Sequence, residues 1–223
     1  YYIKRGEEIS FFRNSFLIGV GCAFGKSIPA SYSTNKAVNS ESFLLVEKPN
    51  IYLYPEYGCT VRVNIFPSYK IIRSLPEYKD GFVVFAEPTG LLDGKYDYLF
   101  YEANLKGVEF DEKTGFSLSQ KNVIKFLAQL LREYGFNEKE IKDFVDYWGT
   151  HLPYAKYYRI NVLTNEEIDR VCPIKITPTP CKILRVWFVI KKENKPLKLT
   201  PPKLKKFERK GFTVTEWGVI LLD

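Results

Sequence analysis

The strongest constraint on the fold is a change of hydrophobic period in the middle of the sequence. In residues 119–134 the apolar side chains recur at the spacing of one helical face. Ser119 is predicted to cap the start of this helix, and Gly135 to end it in a left-handed conformation. The residues of the stripe are Val123, Phe126, Leu127, Leu130, Leu131 and Tyr134.

A second helix is predicted directly after the first. Asn137 and Glu140 have the spacing of a capping box, and Gly149 is expected to end the helix. Its apolar face consists of Ile141, Phe144, Val145 and Trp148. The two stripes therefore predict an αα-hairpin that packs on another layer of structure.

The segments on both sides of the hairpin have the features of strands. Residues 60–66, TVRVNIF, alternate apolar with polar side chains, whereas residues 183–190, ILRVWFVI, are nearly all apolar and are predicted to form a central strand. The 16 Tyr and 17 Phe also favour sheet. We therefore predict an α+β fold, predominantly antiparallel β and sandwich-like, with an inserted αα-hairpin and an extended N-terminal arm.

Changes of composition divide the chain into three parts. Residues 1–47 are predicted to be an arm and linker with a strand at about 15–25, because an apolar stretch is followed by a polar, irregular one. Residues 48–116 are predicted to be a β-rich domain. Residues 117–223 contain the helical hairpin and further strands that complete the body.

The stretch SFLIGVGCAFGKS, residues 15–27, resembles a phosphate-binding loop but does not have its spacing. That loop needs a glycine five residues before Gly25, and the position is occupied by Val20. Pro29 also disfavours the helix that should follow. We therefore predict no nucleotide and no other cofactor at this stretch.

With a period of two, the same stretch has one bulky and one small face. A strand of this kind, tethered by a polar linker, can complete a sheet in a neighbouring copy, and repetition of that contact gives a filament. We therefore predict self-association, although pairing within the same chain stays open. The bulky face consists of Phe16, Ile18, Val20, Cys22 and Phe24.

The net charge of +7 is concentrated in one segment. Residues 182–210 contain eleven Lys or Arg and two Glu. They predict either a solvated loop or a patch for an anionic surface polymer. Nucleic acid is an unlikely partner because aromatic residues are not interleaved with the lysines. The candidate patch consists of Lys191, Lys192, Lys203, Lys205, Lys206, Arg209 and Lys210.

The four cysteines, an even number, are compatible with an oxidising compartment but do not establish one. Cys172 and Cys181 are close in sequence and are candidates for a local disulfide, which leaves Cys22 and Cys59 to tether the arm. A chain that begins with Tyr rather than Met suggests a removed N-terminal leader. No segment has the ~20 apolar residues of a membrane span. The composition also fits a thermophile or an AT-rich genome.

No residue set in the sequence predicts catalysis or metal binding. His151 is the only histidine, and neither a nucleophile elbow nor Cys-x-x-Cys spacing accompanies it. The acidic residues at 109–112 lack a calcium-loop pattern and are interpreted as a solvated turn. We therefore assign no catalytic, cofactor-binding or metal-binding residue and do not predict an enzyme.

From residue 48 onward the chain resembles a family of secreted or surface-associated prokaryotic proteins of uncharacterised function. The resemblance rests on EKPNIYLYPE, GFVVFAEPTGLLDGKYDYLFYEA, GFSLSQKNVIKFLAQLLREYGFNEKEIKDFVDYW and FERKGFTVTEWG, in this order and within about 48–218. The family's first motif is usually Lys-Pro-Val-Ile-Tyr-Leu-Tyr-Pro, and this chain has Asn50 in place of the valine. The resemblance implies a location at the cell surface or outside the cell, and no reaction.

Two classes of function are consistent with these features. The first is a secreted or cell-surface structural or assembly protein, a filament subunit joined by strand donation from residues 15–25. The second is a surface protein that binds or hydrolyses glycans or peptides. A pocket lined by Trp148, His151 and paired carboxylates would favour the second class.

Overall fold

The computed structural model describes residues 43–223, which form ten strands and three helices. In chain order they are β1 (Leu44–Tyr54), β2 (Cys59–Ile65), β3 (Lys70–Leu75), β4 (Phe82–Ala86), β5 (Leu99–Leu105), β6 (Phe116–Ser119), α1 (Val123–Tyr134), α2 (Glu138–His151), β7 (Tyr157–Thr164), α3 (Asn165–Val171), β8 (Ile174–Thr177), β9 (Lys182–Glu193) and β10 (Thr213–Leu222). The predicted strand at 15–25 lies outside the described residues.

The strands form two sheets. The larger has the order β3-β5-β1-β10-β9-β7-β6, and the smaller has the order β4-β2-β8. All neighbours are antiparallel except β9 and β10, which run parallel. The prediction of an α+β, predominantly antiparallel fold with an αα-hairpin is confirmed. Residues 48–116 and 117–223 share the larger sheet, because β1 lies between β5 and β10.

The larger sheet is covered on both faces. In β9, Trp187 and Val189 belong to the core shared with the smaller sheet. Val186, Phe188 and Ile190 belong to the core shared with α1 and α2. Alternate side chains of a strand point to opposite faces, so a strand buried on both sides must be apolar throughout. This explains the continuous apolar run of β9, which lies inside the sheet as predicted.

The two long helices follow their predicted stripes but differ at two ends. Gly135 ends α1 with a φ of 110°, and Asn137 and Glu140 form the predicted capping box of α2. The prediction for Ser119 is wrong, because Ser119 pairs with β7 as the last residue of β6 and α1 begins only at Val123. α2 continues past Gly149 to His151. No helix within residues 43–223 is long and apolar enough to cross a membrane.

The basic segment between β9 and β10 is a crossover connection. Parallel neighbours cannot be joined by a tight turn, so residues 194–212 pass over the helical layer. The Phe207 amide donates to the carbonyl of Tyr134 at 3.3 Å. Arg209 donates to both carboxylate oxygens of the fully buried Glu140, at 2.6 and 2.5 Å. These contacts fix the connection to the ends of α1 and α2.

A second buried carboxylate lies on the opposite face of β10. Glu216 accepts hydrogen bonds from Arg185 Nε at 2.6 Å, from Trp187 Nε1 at 2.9 Å and from the Tyr101 hydroxyl at 2.8 Å. Arg185 also donates to Asp169 at 2.5 Å. Buried charges are tolerated when they are paired and hydrogen-bonded in this way, so the cluster stabilises the packing of β5, β9 and β10.

Candidate functional site

The candidate site is built around an irregularity in β1. The ladder of β1 with β10 shifts register between Glu47 and Asn50, and its ladder with β5 shifts between Val46 and Asn50. Lys48 and Pro49 together lie opposite the single residue Gly218 of β10, which makes the segment a β-bulge. Lys48 has a φ of 54°. A non-glycine residue in this left-handed region is strained, and such strain concentrates at functional sites.

Gly218 allows this bulge to pack closely on the sheet. A Cβ atom at this position would lie 2.9 Å from the indole ring of Trp187 and 3.2 Å from Val46. Any other residue would therefore displace the strand or the tryptophan beneath it. The glycine belongs to FERKGFTVTEWG and the bulge to EKPNIYLYPE, so two of the segments that carry the family resemblance are in contact here.

The bulge directs the Lys48 side chain towards three aromatic rings. Its ammonium lies 4.3 Å from the ring centroid of Phe100, 4.9 Å from that of Tyr98 and 5.4 Å from that of Tyr147. It also donates to the Tyr98 hydroxyl at 3.3 Å. These are cation–π distances. Burial lowers the pKa of Lys48.

Carboxylates surround this cation. The Asp143 side chain, on α2, accepts a hydrogen bond from the Tyr52 hydroxyl at 3.0 Å. Glu102, on β5, forms a 3.9 Å ion pair with Arg73. Burial raises the pKa of Asp143, and it raises the pKa of Glu47 together with the nearby charge of Glu102. A lysine with a lowered pKa beside carboxyl groups with raised pKa values is an arrangement that is frequent at functional sites.

Asn50 ends the bulge with a buried amide. The residue is 1% exposed, and within residues 43–223 its Nδ2 and Oδ1 form no hydrogen bond of ordinary geometry, although the amide lies close enough to the Tyr52 and Tyr98 hydroxyls to influence the pKa of each. More than nine in ten buried polar groups in proteins are paired, so each exception calls for an explanation. We use the name bulge site for Glu47, Lys48, Asn50, Tyr98, Phe100, Asp143 and Tyr147.

A cavity adjoins the bulge site. It has a volume of about 260 Å³, and Glu47 and Lys192 provide charged groups on its wall. The remaining wall consists of Leu152, Pro153, Tyr158, Ile190, Leu221, Leu222 and the charged Asp223. Pockets for drug-sized ligands measure about 300–1,000 Å³, so this one suits a smaller group. Apolar side chains next to a few charged groups are typical of a ligand-binding site.

Hydrogen bonds hold the polar groups of the bulge site in place. Lys48 donates to Tyr98, and Asp143 accepts from Tyr52, so both groups are held in fixed positions. Fixed donors and acceptors next to aromatic rings can orient a ligand without transferring a proton. Within residues 43–223, no group of three His, Cys, Asp or Glu side chains is placed to hold a metal ion.

The seven basic residues predicted to contact an anionic partner lie in different parts of the structure. Lys203, Lys205 and Lys206 line a groove of about 450 Å³ together with Glu166 and Glu167. Lys192 lines the cavity beside the bulge site, and Arg209 is engaged by Glu140. Lys191 lies in the ladder between β7 and β10, and Lys210 is exposed in the crossover connection. The structure therefore brings three of the seven together, beside carboxylates.

The described cysteines are all free. The structure does not form the candidate disulfide between Cys172 and Cys181, because Cys172 lies in the core, 3.6 Å from the Tyr101 hydroxyl, whereas Cys181 is exposed. Burial raises the pKa of Cys172 to about 11. Cys59 is half-buried and free. Cys22 lies outside the described residues, as do Phe16, Ile18, Val20 and Phe24 of the predicted assembly strand.

His151, Trp148 and the acidic turn at 109–112, which the sequence analysis also considered, each make contacts within the fold. His151 is exposed and stacks on Tyr147 at 4.0 Å, with its ring parallel to within 3°. Trp148 is buried in the helical core, so it does not line the pocket with His151 that the sequence analysis named as favouring the second class of function. Glu112, from the acidic turn at 109–112, forms a 3.4 Å ion pair with Arg159.

Sequence reasoning missed the bulge site, although one signal was present. Proline cannot donate to a ladder, so Pro49 within a predicted strand indicates a bulge or an edge. The aromatic and acidic members come from β5, α2 and the residue before β5, which no local pattern connects. Comparisons of the chain with models of protein families, with curated proteins and with solved structures found no match.

Proposed function

We propose that the bulge site binds a neutral, hydroxyl-rich ligand, and that the protein is a secreted or cell-surface glycan-binding protein. The observation that carries this proposal is the strained bulge, which directs Lys48 towards three rings and places Glu47 on the wall of a cavity. Strain of this kind persists only where the surrounding structure enforces it.

The charges of the site favour a neutral ligand. Lys48 and Arg73 face three carboxylates, those of Glu47, Glu102 and Asp143. An anionic ligand would meet an excess of negative charge, and a cationic one would meet the ammonium that already covers the rings. Hydroxyl groups can donate to the carboxylates and accept from the ammonium and the phenols.

The apolar groups of the site favour a sugar ring. The cavity wall and the aromatic edges can contact C–H groups while the charged groups bind hydroxyls. With a volume of about 260 Å³, the cavity matches one small unit better than an extended chain. The proposed ligand is therefore a terminal sugar of a neutral glycan.

Affinity gel electrophoresis tests this function with defined probes: hydroxyethyl cellulose, galactomannan and dextran as neutral polysaccharides, and alginate as an anionic one. We expect at least one neutral probe to retard the protein at both 0.1 and 0.5 M NaCl, since binding through hydroxyls is not screened. Retardation by alginate alone, or by no probe, would refute the proposal.

Two variants locate the binding on the surface. Tyr98→Ala removes a ring that contacts Lys48, and Glu47→Gln removes a charge from the cavity wall without changing its shape. Each is expected to weaken binding about tenfold, which corresponds to roughly 1.4 kcal/mol. Tyr57→Ala is the matched control, because Tyr57 is 83% exposed and lies outside the site. Unchanged binding by a folded Glu47→Gln variant would exclude the cavity.

The predicted assembly by strand donation is a separate proposal. Its donor, residues 15–25, lies outside the described residues, and its surface location is supported by the resemblance of the four sequence segments. Within residues 43–223, β3 is an edge strand that can accept such a donor.

A further inference from the structure

Within the described part of the chain, the larger sheet ends in an edge whose outer backbone groups have no partner. β3 is the terminal strand and pairs only with β5. Within residues 43–223, no backbone hydrogen bond outside this ladder involves residues 70–75. An edge of this kind can accept an additional strand. The opposite edge of the sheet, at the short strand β6, is partly covered. Thr114 and Thr200 form an isolated β-bridge beside it, and the Leu197 amide donates to the Ser117 hydroxyl.

Apolar side chains are exposed along the β3 edge. Ten large hydrophobic residues are exposed among those that the structure describes, and four of them lie at this edge: Phe43, Tyr69, Ile72 and Leu75, each between 44% and 53% exposed. Clustered exposed apolar residues indicate an interaction surface, whereas single ones do not. Of the remaining six, Val83 and Phe85 lie on β4 at the edge of the smaller sheet, and the other four lie elsewhere.

The chain that precedes the described residues joins the body at this edge. The rings of Phe43 and Tyr69 lie 4.2 Å apart, and Tyr69 directly precedes β3. The ammonium of Lys106 lies over both rings, at 4.8 and 5.4 Å. Residues 26–42, a polar stretch of 17 residues, separate Phe43 from the apolar segment 15–25. Fully extended, they reach about 55 Å, which is enough to reach a second molecule.

We propose that residues 15–25 of a second copy of this chain pair with the free edge of β3. The segment has eleven residues and no charge, so it meets no repulsion from Lys70 or Arg73 on β3. Its bulky face can cover the exposed side chains at the edge, and its small face permits close approach of backbones. Because donor and acceptor differ, the contact is head-to-tail and forms open chains.

The test uses the full chain and measures mass by size-exclusion chromatography with light scattering. We expect a mass above that of the monomer that increases with protein concentration. Val20→Lys disables the donor and Ile72→Lys disables the acceptor, so each variant alone should be monomeric. A mixture of the two should form a dimer, because Ile72→Lys still carries a donor and Val20→Lys still carries an acceptor.

Val83→Lys is the matched control, since Val83 is 50% exposed on β4, away from the β3 edge. It should assemble like the unaltered protein. A monomeric unaltered chain at all concentrations would overturn the proposal, as would a variant mixture that stays monomeric or an Ile72→Lys variant that still assembles. A monomer in which hydrogen exchange shows protection of both 15–25 and 70–75 would indicate pairing within one chain and would also overturn it.

Discussion

Replacement of Asn50 by valine tests whether the buried amide is truly unpaired in solution. Asn50 is 1% exposed, and within residues 43–223 neither polar atom of its side chain forms a hydrogen bond of ordinary geometry, although the Tyr52 and Tyr98 hydroxyls lie nearby. A buried polar group without a partner costs about 1–3 kcal/mol, and valine carries no such group. Valine also has a higher preference for strands than asparagine.

We expect Asn50→Val to raise the free energy of unfolding by about 2 kcal/mol, the middle of the range for one such group. For a domain of this size, 1 kcal/mol shifts the melting temperature by about 2–4 °C, so the expected increase is about 4–8 °C. Differential scanning calorimetry measures the shift, and urea denaturation measures the free energy.

Asn161→Val is the matched control on β7 of the same sheet. Asn161 is 3% exposed, but its amide donates to the carbonyls of Asp111 at 2.8 Å and Thr114 at 2.6 Å. Its replacement should destabilise the protein by about 1–3 kcal/mol. If Asn50→Val lowers the melting temperature as Asn161→Val does, Asn50 has a partner in solution and the reasoning is refuted.

Three further outcomes concern other buried groups. Glu216→Ala leaves the Arg185 guanidinium without its main counter-charge and should lower the free energy of unfolding, measured in urea, by about 3–5 kcal/mol. A double variant with Arg185→Met and Glu216→Leu should recover most of this loss. A double variant as unstable as Glu216→Ala would contradict the ion-pair argument. In the native protein at pH 8, iodoacetamide should modify Cys181 and spare Cys172, because burial raises the pKa of Cys172 to about 11. Peptide mass spectrometry shows which cysteine is modified. Modification of Cys172, or a disulfide between Cys172 and Cys181, would contradict this prediction. Burial raises the pKa of Asp143 above its ordinary value of 3.8, so its ionisation costs stability as the pH rises through the folded-state pKa. The free energy of unfolding of Asp143→Asn should therefore equal that of the unaltered protein below about pH 3.8 and exceed it at neutral pH. Equal unfolding curves at neutral pH would contradict this prediction.

Local patterns predicted the helical layer well because its signals are local. The stripe from Val123 to Tyr134, the left-handed Gly135 and the box of Asn137 with Glu140 each depend on residues within a few positions. The Ser119 prediction failed because pairing with a distant strand uses the backbone of that residue. Sheet pairing depends on residues far apart in sequence, which no single pattern contains.

The candidate site illustrates the same limit. Its members lie on β1, β5 and α2 and in the residue before β5, and they meet only because β1 bulges next to Gly218. Pro49 could have indicated the bulge, but not the rings that Lys48 contacts. The parallel pair of β9 and β10 was likewise not predicted, although the 194–212 connection is long enough for a crossover.

The position of β10 has a consequence for how the chain acquires its structure. Among the described strands it is the last in sequence, yet it lies between β1, the first of them, and β9. During synthesis the chain can form the β3-β5-β1 ladder and the β9-β7-β6 ladder, but each keeps an open inner edge until β10 emerges. Contacts between the two ends of a sequence slow folding. The nascent protein therefore exposes two inner edges that the finished one conceals, and β10 closes both at once.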